Sequence, residues 1–317
     1  MRIATSLAEP GGPGALDELT AQLQRAADDG FAGAWVSNIF GLEALTALAV
    51  AGSRVPGIEV GTAVIPAYPR HPAMLAQQAL TAELALGPGR LNLGVGLSHK
   101  IVIEDMYGYS FDRPARYLRE YLEILLPALA GDPVAFDGDQ LHAHLQLSVP
   151  RPAGVTGRMP VLLAAMAPQM LKLAGARADG TVLWMTGPAT VRDYIVPAIA
   201  AAAEQAGRPA PRVVCVLPVC VTDDVPAARA RADKVFAIYG QLPSYRAMLD
   251  KEGAAGPGDV VLAGDEDAVA GQVRALAAAG VTDFVALEYA RGPEQQRTRE
   301  LLRALISASR AERAGSR

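Results

Sequence analysis

The stretch 61–100, GTAVIPAYPRHPAMLAQQALTAELALGPGRLNLGVGLSHK, constrains the fold more than any other part of the chain. An apolar, partly β-branched run over 60–65 is stopped by Pro66, Pro69 and Pro72. Residues 73–86 are rich in Ala, Leu and Gln at helical spacing. Gly87, Pro88 and Gly89 then break that helix before a second buried strand over 91–97. Strand, helix, strand in this order is a βαβ unit, and a βαβ unit requires a parallel sheet. Ligands of such sheets sit beyond the carboxyl ends of the strands. Those ends fall at Ala63, Val64 and Ile65, and at Gly94, Val95, Gly96, Leu97, Ser98 and His99.

The same alternation runs from end to end. Strands are expected over 1–7, 33–38, 60–65, 91–97, 160–166, 181–186, 213–221 and 283–289. Helices are expected over 15–29, 42–51, 73–86, 113–129, 168–177, 191–207, 266–279 and 293–308. Residues 134–138 and 142–149 alternate like a hairpin inserted after the fourth strand, and a less regular insertion, 225–257, follows the seventh. Eight β/α units predict an α/β fold of the (β/α)8 TIM-barrel type, with a doubly wound sheet as the alternative. The length of 317 residues suits one barrel of about 250 residues plus insertions, burying roughly 75% of the unfolded surface. One domain over 1–309 is expected, with 310–317 as a polar, loose tail.

The charge balance, 29 basic against 33 acidic side chains, argues against a nucleic-acid or polybasic membrane partner. No apolar run of about 18 residues and no basic-then-apolar N-terminus occurs, so a soluble, cytoplasmic protein without a membrane partner is expected. Cys215 and Cys220 share one apolar run at odd spacing, which puts them on opposite faces of a strand as unpaired core thiols. His71, His99, His142 and His144 are not at ligand spacing with carboxylates, so no metal is expected. There is no Gly-x-Ser-x-Gly elbow and no Walker lysine. Gly94-Val95-Gly96 opens like a dinucleotide fingerprint, but His99 stands at the third glycine position.

Barrel chemistry sits at strand C-termini, which shortens the list of candidates. They are Ser6, Leu7, Ser37, Asn38, Ala63, Val64, Ile65, Gly96, Leu97, Ser98, His99, Ala164, Ala165, Met166, Ala167, Trp184, Met185, Thr186, Pro218, Glu288 and Tyr289. Most are small or apolar, which suits a large aromatic cofactor that brings its own chemistry. An anionic tail on it would sit at a helix N-terminus. Ala164-Ala165-Met166-Ala167-Pro168 offers exposed backbone N–H groups for that purpose, or is simply close strand–helix packing. Trp184 either walls the pocket or is a core aromatic. The 225–257 region, with Phe236, Tyr239, Tyr245, Arg246 and Lys251, reads as a lid over the substrate or as a solvated charged helix. Tyr107 and Tyr109 are placed at the same mouth. Ser6, Trp184, Met185, Tyr239, Tyr245 and Arg246 form the expected substrate pocket.

At this point a family likeness becomes specific. The 61–100 block resembles the third and fourth strands of the bacterial-luciferase-like monooxygenase superfamily. It is most similar to the members that use the deazaflavin coenzyme F420, of the methylenetetrahydromethanopterin reductase type. Gly33-Ala34-Trp35-Val36-Ser37, Phe111-Asp112-Arg113-Pro114, Pro160-Val161-Leu162-Leu163-Ala164-Ala165 and Ala174-Gly175-Ala176-Arg177-Ala178-Asp179-Gly180 agree with it. Only 225–257 is poorly matched. The resemblance implies a luciferase-like barrel, F420 as cofactor with FMN as the alternative, a small-molecule substrate, and a homodimer through barrel helices. It also implies a non-prolyl cis peptide at the end of the third strand, best matched by Ala63-Val64, bulging against one face of the ring. The cofactor would then lie among Ser37, Asn38, Ala63, Val64, Ile65, Gly96, Leu97, Ser98, Ala164, Ala165, Met166 and Ala167.

Two departures bear on the reaction. Many relatives carry an acidic residue and a histidine after Val-Ser in the second strand, where this chain has Asn38 and Ile39. The sugar-phosphate dehydrogenase branch has a glutamate where this chain has His99, which puts sugar oxidation in doubt. His99 is the catalytic candidate, donating a proton during reduction, or else a rim histidine that hydrogen-bonds a loop or the cofactor tail. The reaction implied is hydride transfer from the deazaflavin C5 to an activated C=C or C=N bond. An FMN-dependent monooxygenase is the alternative, and a non-catalytic (deaza)flavin-binding protein a further one.

Overall fold

The computed structural model describes residues 1–151 and 157–315; the last two residues of the expected tail lie outside the described residues. In chain order the strands are β1 (Arg2–Ser6), β2 (Gly33–Val36), β3 (Glu59–Thr62), β4 (Ile65–Pro66), β5 (Leu91–Gly96), β6 (Val134–Asp137), β7 (His142–Leu145), β8 (Val161–Leu163), β9 (Gly180–Trp184), β10 (Arg212–Val221), β11 (Leu262–Gly264) and β12 (Asp283–Glu288). Strands β1, β2, β3, β5, β8, β9, β10 and β12 close a parallel (β/α)8 TIM barrel of eight strands. Closure comes from β10, which pairs with β9 on one side and β12 on the other, while β12 pairs with β1.

Inward positions recur at every second residue of a barrel strand and stack in layers. The layer at the N-terminal end is charged. Arg2 reaches Glu59 at 2.7 Å and Asp283 at 3.3 Å, Arg212 reaches Asp283 at 2.9 Å and Asn92 at 2.6 Å, and Asn92 returns to Glu59 at 3.1 Å. Every partner comes from a different strand, so the network closes the barrel floor. Above it Ala4, Trp35, Leu162, Val182, Val214 and Val285 fill the interior. The next layer, at the C-terminal end, is built of small residues, and there the floor of a site begins.

The outer helices bury one face each. The helix Ala15–Asp28 turns Leu19, Leu23 and Ala26 to the sheet, and Pro114–Ala130 buries Leu118, Tyr121, Leu122, Leu125 and Leu129. The hairpin expected after the fourth barrel strand is present, β6 and β7 pairing antiparallel with Val134 opposite Leu145. Cys215 and Cys220 are free and fully buried, in separate clusters.

Three features depart from the sequence expectation. The insertion 225–257 is more regular than expected and contains two helices, Val225–Val235 and Pro243–Glu252. Both begin with proline in the first turn, the first is capped by the Asp224 carboxylate on Ala227 N–H at 3.0 Å, and the second stops at left-handed Gly253. The upper half of β10 pairs with β11, a strand outside the barrel count. The last helix, Pro293–Gly315, extends past residue 308, so residues 310–315 continue it where a loose end was expected. Ser309 Oγ donates to Met1 O at 2.8 Å and Arg310 to Gly30 O at 2.7 Å, tying this helix across the chain's start.

Candidate active site

The third barrel strand breaks between β3 and β4, and the peptide bond Ala63-Val64 in that break is cis. Sequence-regular pairing to β5 covers Val60 and Gly61, lapses, and resumes at Ile65 opposite Val95. Across the lapse the Thr62 side chain replaces the ladder: its hydroxyl donates to Gly94 O and accepts from Gly94 N–H, both at 2.9 Å. A Cβ on Gly94 would stand 1.9 Å from Thr62 O, and one on Gly96 would stand 2.7 Å from Val64 Cγ2 and 3.0 Å from Ala164 Cβ. The two glycines of the Gly-Val-Gly pattern are thus the residues that let the neighbouring strands approach so closely.

This packing leaves a low, apolar floor at the barrel's C-terminal end. Half-buried Ser6, Ala63, Val64, Ala164 and Trp184 top their strands. Trp184 and the Ala63-Val64 pair both rest on the interior layer. The indole Nε1 of Trp184 is buried without a hydrogen-bond partner among the described residues.

His99 follows β5 through Ser98, which is left-handed at φ 64°. Met185, after β9, is also left-handed at φ 50°. Side-chain-bearing residues in that region are uncommon and concentrate at functional sites. The backbone oxygen of His99 accepts from Val102 and Ile103 N–H, which fixes the chain direction beyond it. Burial alone lowers the imidazole pKa below its usual 6.5, and no charged neighbour contributes. The ring is thus neutral at neutral pH.

The 225–257 insertion covers this rim with aromatic side chains. The Tyr245 ring lies 5.4 Å from that of His99, Tyr239 meets Tyr245 edge-on at 5.2 Å, and Trp184 meets Tyr239 edge-on at 5.4 Å. Phe236 closes on the other side of Trp184 at 5.5 Å. The insertion is latched by Glu252, whose carboxylate accepts from Ala189 N–H at 3.0 Å and Thr190 N–H at 2.6 Å. Of the two readings of the region, the geometry is that of a cover on the mouth.

Ala167 precedes the helix Pro168–Arg177 and no side chain caps that N-terminus. Ala167 is exposed and Ala164 and Met166 are half-buried, so the first-turn amides lie beside the floor. Met166 O accepts from Tyr194 Oη at 2.9 Å, which steadies the turn.

Several sequence candidates sit elsewhere. Ile65 and Ala165 are wholly buried in the outer core, because they occupy the outward register of their strands, and Leu97 packs partly on the same core. Met185 is wholly buried under the cover. Asn38 caps a helix, accepting from Ala44 N–H at 3.0 Å, while Ser37 is exposed on the rim. Arg246 serves its own segment: it pairs with Asp250 at 2.8 Å and donates to Ala255 O and Ala254 O. Tyr109 lines a cavity of about 530 Å³ with Tyr68, Asp112 and Tyr117. Glu288 turns outward to Arg299. Sequence reasoning missed Thr62; a lone buried threonine facing a Gly-x-Gly strand was the signal. Among the described residues no cluster of His, Cys, Asp and Glu could hold a metal, and no helix is long and apolar enough to cross a membrane.

Known proteins share this architecture. The 5,10-methylenetetrahydromethanopterin reductase of Methanopyrus kandleri is 27% identical over 87% of this chain and 90% of its own length. The enzyme of the same name from Methanolobus tindarius is 28% identical over 65% of this chain, and the chain spans 62% of its length. The solved structure of the coenzyme F420-dependent tetrahydromethanopterin reductase from Methanopyrus kandleri superposes with a TM-score of 0.80 over 97% of this chain and 99% of that one; at 22% identity the likeness speaks to fold alone. Luciferase-like monooxygenase sequences match residues 2–309, and the chain belongs to that family.

Proposed function

We propose that this protein is a coenzyme F420-dependent oxidoreductase that reduces an activated C=C or C=N bond of a small organic substrate. The observation that carries the reading is the rim itself: an apolar floor of small residues at the strand ends, with the His99 imidazole beside it under an aromatic cover. A relative named as a putative coenzyme F420-dependent oxidoreductase, 29% identical over 69% of this chain, supports the choice of cofactor.

The residues fit such a group. Ala63, Val64, Gly96 and Ala164 offer a low platform, on which even a Cβ at Gly96 would meet Val64 and Ala164. The uncapped amides after Ala167 would take an anionic tail. Bound there, F420 supplies a hydride at its C5 position. The chain's own part is to bind, to dry the site and to move a proton. Tyr239, Tyr245 and Phe236 exclude water above the floor. His99 exchanges a proton with the substrate. Its protonated form is the donor for reduction, and its neutral form is the base for the reverse direction.

The family description is that of monooxygenases. Oxygen consumption separates the two chemistries. Under air, the protein with reduced F420 and an enal or imine substrate should reoxidise the cofactor in step with substrate loss and consume no oxygen. Substrate-dependent oxygen uptake with FMN would select the monooxygenase instead.

A further inference from the structure

The substrate face is walled by aromatic rings on a continuous path, His99 to Tyr245 to Tyr239 to Trp184, with neighbouring centroids 5.2–5.4 Å apart. Rings arranged edge-to-face in this way present flat π surfaces and C–H edges, which grip a planar guest. Besides the His99 imidazole and the Tyr239 and Tyr245 hydroxyls, the wall holds the indole N–H of Trp184, which is buried without a hydrogen-bond partner among the described residues. An N–H in that condition is satisfied by a carbonyl, nitro or imine acceptor.

Most cations of the covering insertion have partners away from the aromatic wall. Arg246 spends its donors on Asp250 and two carbonyls of its own segment. Arg231 pairs with Glu294 at 2.9 Å, and Arg229 approaches Asp259 at 3.9 Å. Lys251 lies over the Tyr194 ring at 4.4 Å, while Lys234 is exposed in the last turn of its helix. At the rim, Lys100 is exposed and leans to Glu104 at 3.5 Å. A phosphate or carboxylate brought against these rings would lose its hydration without gaining a cation from the wall itself. The uncapped helix N-terminus at Ala167 is taken by the cofactor tail in the functional reading above, on which this inference rests.

We propose that the substrate site takes an uncharged, flat, conjugated acceptor whose polar atom is received by the Trp184 indole N–H, and that it turns away phosphorylated and carboxylated substrates. Sugar phosphates fall in the excluded class.

The test is equilibrium dialysis of the protein saturated with oxidised F420, or with FMN if FMN is what it binds, so that cofactor identity and substrate class fail separately. The probes are cinnamaldehyde, 4-carboxycinnamaldehyde and glucose 6-phosphate. Cinnamaldehyde should bind at least about tenfold more tightly than either charged compound. Trp184→Phe keeps an aromatic ring, smaller than the indole, and removes the N–H; it should weaken cinnamaldehyde about threefold to tenfold while cofactor affinity holds. Charged compounds binding as well as the neutral aldehyde, absence of cinnamaldehyde binding, or an unchanged affinity in Trp184→Phe would overturn the proposal.

Discussion

His99 is the one imidazole at the barrel rim whose pKa is moved by burial, and the direction of the shift sets how it works. A depressed value means the folded protein holds the ring neutral where a free histidine would begin to charge. In the proposed reduction the imidazolium is the donor, so kcat/KM should rise on acidification with an apparent pKa below 6.5. His99→Gln should flatten that limb and lower kcat about 100-fold, with cofactor affinity nearly unchanged. A pH–rate series on both proteins checks this. Stability runs the other way. The unfolded chain binds the proton more readily, so the contribution of His99 is present above pH 6.5 and is lost as pH falls through the lower folded value. Gly94 is a second residue with a sharp expectation. A methyl group there would meet Thr62 O at 1.9 Å, so Gly94→Ala should cost about 2 kcal/mol or more through backbone displacement, read as a fall in the urea midpoint.

At the scale of elements, the strands and most helices were legible because each carries one clear period and a stop signal. The helix Pro168–Arg177 was readable to the residue, since Pro168 opens it and its buried face repeats through Met170, Leu171 and Ala174. The lid was the weak point. Its helices Val225–Val235 and Pro243–Glu252 have short, alanine-rich or polar faces, and their burial against Trp184 and Met185 comes from distant strands that no local pattern reveals. For the same reason the roles of Arg246 and Asn38 were not readable. A side chain next to a strand end is equally well placed to cap a helix, and Asn38 does so. The register of Ala165 was in principle available, because alternation from Ala164 turns it outward. Ile65, two residues past Ala63, would share that residue's inward face under strict alternation, and it is the lapse in pairing between Gly61 and Ile65 that turns it to the outer core. Glu252 is the element's mechanical link. Glu252→Ala removes the acceptor for Ala189 and Thr190 N–H and should loosen the lid by about 1–3 kcal/mol, seen as faster hydrogen exchange over 236–257 with the barrel strands unaffected.

Across the whole molecule the two ends of the barrel divide the work. The N-terminal end is bolted by Arg2, Glu59, Asn92, Arg212 and Asp283, a network absent from any reading that searches only strand C-termini. Asp283 is buried and touches both arginines, so Asp283→Ala would leave two cations without their shared partner. The expected cost is about 3–5 kcal/mol, measurable by urea denaturation, with little change in cofactor affinity because the floor lies at the far end. That opposite end is left small, apolar and nearly uncharged, which is the arrangement of a protein that lends a site to a cofactor. The central claim is therefore about which cofactor, and an anaerobic equilibrium titration with F420 and with FMN addresses it directly. F420 should bind at least about tenfold more tightly than FMN, a difference of 1.4 kcal/mol, and Ala164→Leu, which fills the floor, should abolish the preference along with the binding. Tighter binding of FMN than of F420 would contradict the account.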